Sequence, residues 1–174
     1  DWAIQIKGRP LTLCREQYVL DYSRKEVRDH VYGMMKKILD SANIEYIKWD
    51  MNRQLTEVGS ATLPAERQRE LWHRYVLGVY DLMDRLTTDY PHILLENGAR
   101  FDPGMLYYSP QIWCSDDTDA IERLKIQHGT SMCYPCSAMG AHVSDCPNHT
   151  VGRNTPFKTR GHVAMVGTFG YELD

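Results

Sequence analysis

The sequence lacks the features that direct a chain to membranes or to nucleic acids. No apolar run approaches the roughly 18 residues that a membrane-spanning helix needs. The first residues also lack the basic and apolar regions of a signal peptide. Its 20 lysines and arginines are interspersed with 23 aspartates and glutamates, without a basic block. We therefore expect no membrane partner and no nucleic-acid partner, and a small molecule as the ligand.

Cysteine is scarce and odd in number, with five in 174 residues. A chain of this size needs no disulfides, which predicts reduced thiols and a cytoplasmic location. The spacing of Cys133, Cys136, Cys146 and His149 could suit a structural zinc site. The Tyr-Pro pair between the first two cysteines is unlike the turn of a zinc knuckle. We therefore expect buried free thiols, no metal and no cofactor.

Neither common phosphate-binding loop is present, because the sequence contains no G-x-G-x-x-G and no G-x-x-x-x-G-K. Short apolar segments alternate with stretches of helical period, which predicts an α/β fold with parallel strands. Polar residues at strand ends favour a (β/α)8 barrel over a doubly wound sheet, but a full barrel needs about 200 residues or more. The expected fold is therefore a partial (β/α)8 TIM barrel. Predicted strands lie at residues 18–21, 46–50, 93–96, 111–114 and 132–134.

Four helices are predicted, three between these strands and one after the last of them. A capping box of Ser23 and Glu26 opens the first, which runs to about residue 41, and Thr155 with Pro156 opens the last. The others span about 66–89 and 118–128. The spacing of apolar residues predicts the buried faces of the first two helices. Those faces are Val27, Val31, Met34, Met35 and Ile38, then Leu71, Tyr75, Leu82 and Leu86.

A polar face is predicted at the end of the second strand. Alternate strand residues project to the same side, so Lys48, Asp50 and Asn52 share one face. The carboxyl ends of parallel strands are where the active sites of such sheets lie. A simple salt bridge at the strand end is the alternative interpretation.

A second acidic cluster, residues 116–119, follows the strand at 111–114. Aspartate and threonine are also favoured at helix N-termini, so this acidity could simply start the next helix. Two carboxylates from different strand ends are nevertheless the pair that glycoside hydrolysis requires, one as the nucleophile and one as the acid/base.

Several long strings resemble the α-galactosidases of glycoside hydrolase family 36, and they follow one another in order along essentially the whole chain. They are residues 46–53 (YIKWDMNR), 100–105 (RFDPGM), 109–123 (SPQIWCSDDTDAIER), 140–144 (GAHVS), 147–149 (PNH), 159–162 (TRGH) and 169–174 (FGYELD). The resemblance implies the later strands of a catalytic barrel, without the family's N-terminal and C-terminal β-domains. It also implies that the parent protein forms a homo-tetramer.

The resemblance implies a retaining exo-α-galactosidase that acts on α-1,6-galactosides such as melibiose and raffinose. Asp50 matches the nucleophile and Asp116 the general acid/base, with Asp117 as a weaker candidate for the second role. Ligands of the galactose hydroxyls are matched by Lys48, Asn52 and Arg15. The expected ligand is thus a small α-galactoside.

Two departures from the family pattern stand out. The Cys-Ser-Gly-Gly-Gly stretch that typically contacts the sugar is missing, because Asn97 runs directly into Gly98. Earlier strands of the barrel, which hold the far side of galactose, have no counterpart, so this segment alone is expected not to catalyse. The alternatives are an α-N-acetylgalactosaminidase, a galactosyl-transferring relative or an inactive truncated barrel.

Overall fold

A computed structural model describes residues 2–51, 53–98 and 102–173. The helices are α1 (Lys25–Leu39), α2 (Leu71–Asp89), α3 (Ala120–Ser131) and α4 (Phe157–Ala164). The strands are β1 (Tyr46–Trp49), β2 (Leu94–Asn97), β3 (Gln111–Trp113), β4 (Met139–Ser144) and β5 (Thr168–Glu172). Short 3₁₀ segments span Ala65–Glu70, Pro103–Tyr107 and Cys136–Ala138. Within the described part of the chain, no helix has the length and apolar character to cross a membrane.

The chain forms two compact units. The first comprises Asp1–Glu45 and Met51–Ile93 and contains α1 and α2. The second comprises Tyr46–Asp50 and Leu94–Asp174 and contains all five strands with α3 and α4.

The second unit is a parallel sheet in the order β1-β2-β3-β4-β5. In the chain, α3 connects β3 to β4 and α4 connects β4 to β5, and both helices contact β4. Parallel strands in chain order, joined by helices, are the construction of a (β/α)8 barrel. The prediction of a partial (β/α)8 TIM barrel is therefore confirmed.

Each face of this sheet has its own chemistry. The strand register aligns Lys48 with Glu96, Glu96 with Gln111 and Trp113 with Gly140, so these residues share one face. The opposite face carries buried aliphatic residues: Leu95, Ile112, Met139, Ala141 and Val143. Burying a large aliphatic side chain contributes about 1.5–3 kcal/mol, so this face anchors the strands. The polar face is left available for a binding site.

Helix packing in the first unit follows the predicted pattern in α2 and departs from it in α1. All four predicted residues of α2, Leu71, Tyr75, Leu82 and Leu86, are buried. In α1, Val27 and Val31 are buried, but Met34 is 46% exposed and Ile38 is 60% exposed. The buried face of α1 instead includes Tyr32, whose hydroxyl donates to the Asp89 carboxylate. The buried face of α1 therefore includes a polar contact that the hydrophobic pattern alone does not predict.

The predicted start of α1 was wrong in detail. Its N-cap is Arg24, which makes no side-chain cap, and the hydroxyl of Ser23 donates to the Asp21 carboxylate at 2.5 Å. Asp21 is fully buried and also accepts from the Ser60 hydroxyl. Ser23 therefore binds this buried carboxylate instead of forming a capping box with Glu26. The predicted strand at 18–21 is absent and is replaced by one isolated bridge between Ala3 and Leu20.

The other errors concern the later part of the chain. Residues 132–134 do not form a strand, because Met132 is the C-cap of α3. The true strand, β4, begins at Met139 and is rich in small residues, and β5 was not predicted. Strand formation there depends on pairing with neighbouring strands more than on intrinsic propensity. At α4, Pro156 is the N-cap and not the first helical residue.

Gly78 in α2 is expected to be essential for stability. A Cβ atom at this position would lie 1.9 Å from the backbone oxygen of Tyr22, which cannot move without shifting the chain. Overpacking typically costs about 1–3 kcal/mol and occasionally more, and this contact predicts the upper end for Gly78→Ala. The matched control is Gly33→Ala in α1, which would meet nothing within 4 Å and should stabilise by about 0.5–1 kcal/mol. Urea unfolding measures both, and equal effects would contradict the contact.

Candidate active site

The carboxyl end of β1 carries the two predicted residues Lys48 and Asp50 on the polar face of the sheet. Lys48 is half-buried and Asp50, which follows the strand directly, is exposed. Gly98 holds this end of the strand through an N–H that donates to the Trp49 carbonyl at 2.8 Å. A Cβ on Gly98 would lie 2.9 Å from Oδ1 of Asp50 and 3.1 Å from both the Asp50 Cα and the Trp49 carbonyl oxygen, so a larger residue would crowd the carboxylate and the backbone that carries it. The carboxylate is therefore packed against a backbone segment from the end of β2.

The carboxyl end of β3 carries Trp113 and Asp116. The indole N–H of Trp113 donates to Oδ1 of Asp116 at 2.9 Å. The ammonium nitrogen of Lys48 lies 4.2 Å from the centroid of the Trp113 ring, a cation–π contact. Because β1 and β3 are alternate strands, their side chains can reach one layer across the polar face. Lys48 and Asp116 therefore both contact Trp113, one over the face of the ring and the other at the N–H on its edge.

The three aspartates after β3 have different roles. Oδ1 of Asp117 accepts the N–H of Asp119 at 3.1 Å and so forms a turn. Oδ2 of Asp119 accepts the N–H groups of Ile121 and Glu122, both at 3.1 Å, and caps α3. The alternative that this acidity starts a helix therefore holds for Asp119. Of the three, Asp116 is the one whose carboxylate is bound by a side chain of the polar face.

Glu96 on β2 is a polar-face residue that the sequence analysis missed. It is fully buried, and the side-chain amide of Gln111 donates to Oε2. Its other oxygen, Oε1, is buried and has no hydrogen-bond partner among the described residues. Burial and the neighbouring Glu96 carboxylate both raise the pKa of the Tyr46 hydroxyl. The available signal was a charged residue inside an otherwise apolar strand segment.

His142 on β4 extends the aromatic surface next to Trp113. The two ring centroids are 4.9 Å apart, and Nδ1 of His142 lies 3.4 Å from Oε2 of Glu172. A Cβ on Gly170 would lie 2.7 Å from the imidazole, so β5 also approaches closely. The polar face therefore has an aromatic wall formed by Trp113 and His142.

Arg15 lies in the first unit, in a tight turn, whereas Lys48, Asp50 and Asp116 lie in the second unit. Arg15 and Glu16 both have positive φ, 53° and 58°, and the Gln17 N–H donates to the Cys14 carbonyl at 3.0 Å. A left-handed conformation costs a non-glycine residue about 1–2 kcal/mol. Such strain persists only where the surroundings enforce it.

Arg53 is the group that enforces this turn. Its guanidinium donates to the Thr12 carbonyl at 2.5 Å and to the Gln17 carbonyl at 3.3 Å, so it bridges the two sides of the turn that carries Arg15. Arg53 also lies 3.8 Å from the Glu57 carboxylate. Arg53, the last residue of the string at 46–53, therefore has a structural role: it holds the two sides of this turn together.

Asn52 and residues 99–101 lie outside the described residues, so the predicted sugar contact of Asn52 stays a prediction. Over residues 2–51, 53–98 and 102–173, no group of three or more His, Cys, Asp and Glu side chains could hold a metal ion. The expectation of buried thiols was wrong for Cys133, Cys136 and Cys146, which are exposed free thiols.

Comparison with known proteins identifies the family. Residues 1–174 match the Melibiase family. The chain belongs to the melibiase family. It is 60% identical over 178 residues to alpha-galactosidase AgaA of Geobacillus stearothermophilus, which covers all of this chain and 24% of AgaA. It is 58% identical to alpha-galactosidase Mel36A of Lactobacillus acidophilus, again over all of this chain and 24% of the relative.

Solved structures of the melibiase family confirm the fold and the resemblance to family 36. The crystal structure of GH36 alpha-galactosidase AgaA matches with a TM-score of 0.96 and covers 99% of this chain and 25% of AgaA. Variants of AgaA have been solved in complex with raffinose and with stachyose. The chain spans about a quarter of the length of the curated relatives it matches.

Proposed function

We propose that the polypeptide carrying this chain is a retaining exo-α-galactosidase that releases terminal α-1,6-linked galactose from oligosaccharides of the melibiose and raffinose type. The observation that carries the proposal is the pair of carboxylates, Asp50 after β1 and Asp116 after β3, at the carboxyl ends of strands that share a polar face. Carboxylates at this end of a barrel are in the position of catalytic groups. A tetrameric parent protein and a cytoplasmic location stay predictions.

The mechanism uses the two carboxylates in two steps. In the first, the carboxyl group of Asp116 protonates the glycosidic oxygen while the carboxylate of Asp50 attacks the anomeric carbon, which gives a galactosyl ester and frees the rest of the substrate. In the second, the Asp116 carboxylate takes a proton from water, which attacks the same carbon and releases Asp50. Two inversions give net retention of configuration.

Lys48 and Trp113 suit the recognition of a neutral sugar. An ammonium group beside the nucleophile can donate charge-assisted hydrogen bonds to galactose hydroxyls. A site that hydrogen-bonds a particular hydroxyl discriminates strongly against a sugar that places this group elsewhere. Under this proposal, Lys48 contributes to selecting galactose over glucose, and Arg15 and Asn52 are further ligands of the sugar.

The AgaA variants support the assignment of Asp50 and Asp116. The variant bound to raffinose carries an Asp→Asn substitution, and the variant bound to stachyose carries an Asp→Ala substitution at an earlier position. In AgaA, those two aspartates are four positions further apart in the sequence than Asp50 and Asp116 are in this chain. The alignment with AgaA is also four residues longer than this chain, 178 residues against 174. The stretch that the family pattern carries between Asn97 and Gly98 would account for the difference.

The proposal is tested by following raffinose hydrolysis by proton NMR with the whole polypeptide. We expect α-galactose to form first and β-galactose to appear only through mutarotation, because the double displacement retains configuration. Melibiose serves as the second substrate, and a β-galactoside is the negative control.

Other outcomes identify the alternatives. Initial release of β-galactose would contradict the retaining mechanism. Cleavage of an α-N-acetylgalactosaminide in preference to the galactoside would indicate the related specificity, and products longer than the substrate would indicate galactosyl transfer. No turnover of any α-galactoside would favour an inactive barrel.

A further inference from the structure

Arg123 on α3 is a buried cation that binds the loop of the acid/base residue. Its side chain is 3% exposed. The guanidinium donates to the carbonyl of Ser115 at 2.5 Å and to the carbonyl of Asp117 at 2.8 Å. These are the two residues that flank Asp116 in the chain. A third hydrogen bond, to the Gly140 carbonyl at 3.1 Å, ties the same group to β4.

Arg123 also contacts the side chain that binds the Asp116 carboxylate. The central carbon of its guanidinium lies 4.6 Å from the centroid of the Trp113 ring. The indole of Trp113 in turn donates to Oδ1 of Asp116. Arg123 therefore contacts both groups that hold Asp116, which are the backbone carbonyls on either side of it and the Trp113 ring that binds its carboxylate.

The partners of Arg123 are unusual for a buried cation. No carboxylate of the described residues lies within ion-pair distance, 4.0 Å, of its guanidinium, so three carbonyl groups replace an ion pair. Burial lowers the pKa of Arg123. A buried charge without an ionic partner is costly, and a carboxylate would be the usual compensation for stability alone. The carbonyl partners do, however, fix the backbone on both sides of Asp116.

We propose that Arg123 is a positioning residue that holds the Asp116 loop and the Trp113 ring so that the Asp116 carboxyl is aimed at the glycosidic oxygen. This inference rests on the proposed function. Proton transfer depends on placement, since a displacement of about 1 Å can cost about 100-fold in rate. The planar guanidinium is suited to the task because it presents several donors in a fixed fork, whereas the ammonium of lysine is a point charge.

The test compares Arg123→Lys with the unchanged polypeptide on two substrates. Raffinose has a poor leaving group that needs protonation, whereas 2,4-dinitrophenyl α-galactoside has a leaving group that departs without it. General acid catalysis contributes about 10²–10⁴-fold, so we expect kcat/KM for raffinose to fall at least about tenfold. The expected loss on the dinitrophenyl substrate is less than about threefold. A fall in the amount of folded protein would lower kcat/KM equally for both substrates. A change in the ratio of the two kcat/KM values therefore reports the placement of Asp116.

The matched control is Arg160→Lys. Arg160 also uses its guanidinium to bind carbonyls, those of Thr155 and Ser144, but it does not bind the carbonyls beside Asp116. The control should leave the ratio of the two substrates unchanged. An equal loss on both substrates for Arg123→Lys would overturn the inference while leaving the proposed function intact. A polypeptide that turns over neither substrate before substitution would overturn the proposed function itself.

Discussion

Asp50→Asn is expected to lower turnover of raffinose by about 10⁴-fold or more. The amide has nearly the shape of the carboxylate but cannot form the galactosyl ester, so the first chemical step is lost. Asp50 is exposed, and its replacement should leave the unfolding transition nearly unchanged. Steady-state kinetics together with thermal unfolding measure both effects.

A fluorinated galactosyl substrate, which forms the ester quickly and hydrolyses it slowly, should label the peptide that contains Asp50. The matched control is Asp81→Asn, which removes a carboxylate 2.8 Å from Arg28 on the first unit. Such a surface pair contributes about 0.2–1 kcal/mol, so this control should retain full activity. Wild-type turnover by Asp50→Asn, or a label on a different peptide, would show that the nucleophile lies elsewhere.

Asp116→Ala is expected to reduce kcat/KM for raffinose by about 10²–10⁴-fold and to affect the dinitrophenyl galactoside far less. On the dinitrophenyl galactoside, the variant should also accumulate the galactosyl ester, since the ester still forms but no base remains to activate water. Added azide needs no base, so it should restore turnover. Because azide attacks the ester on Asp50 from the opposite face, the product should be α-galactosyl azide, which NMR identifies.

The neighbouring Asp117→Ala is the control for this prediction. Asp117 accepts the Asp119 N–H and shapes the turn before α3, so its loss is expected to lower activity less than the loss of Asp116, and the intact Asp116 base should leave no ester for azide to intercept. Formation of α-galactosyl azide by Asp117→Ala and not by Asp116→Ala would exchange the two assignments.

Sequence reasoning was most successful where local pattern decides the structure. Strand alternation predicts Lys48 and Asp50 on one face, and the first three strands of the sheet lie within one residue of their predicted positions. Helix α2 was also predicted with its buried face, because its 19 residues carry a long and regular apolar stripe.

The errors have a common physical cause, which is that contacts distant in sequence decide the outcome. Ser23 turns to a buried carboxylate that also binds Ser60, and the small residues of β4 form a strand because β3 and β5 flank them. The positions of Glu96 and Arg123 likewise depend on pairing between strands and on carbonyls of other elements. No local spacing reveals such partners.

The contact between Gly98 and Asp50 has a genetic consequence. A glycine codon has two positions at which every base change replaces the residue or stops translation, and each replacement residue carries a Cβ. That atom would lie 2.9 Å from the carboxylate oxygen of the proposed nucleophile. Every change at those two positions would therefore crowd the carboxylate of the proposed nucleophile, whereas any change of the third base keeps glycine and leaves the site unaltered.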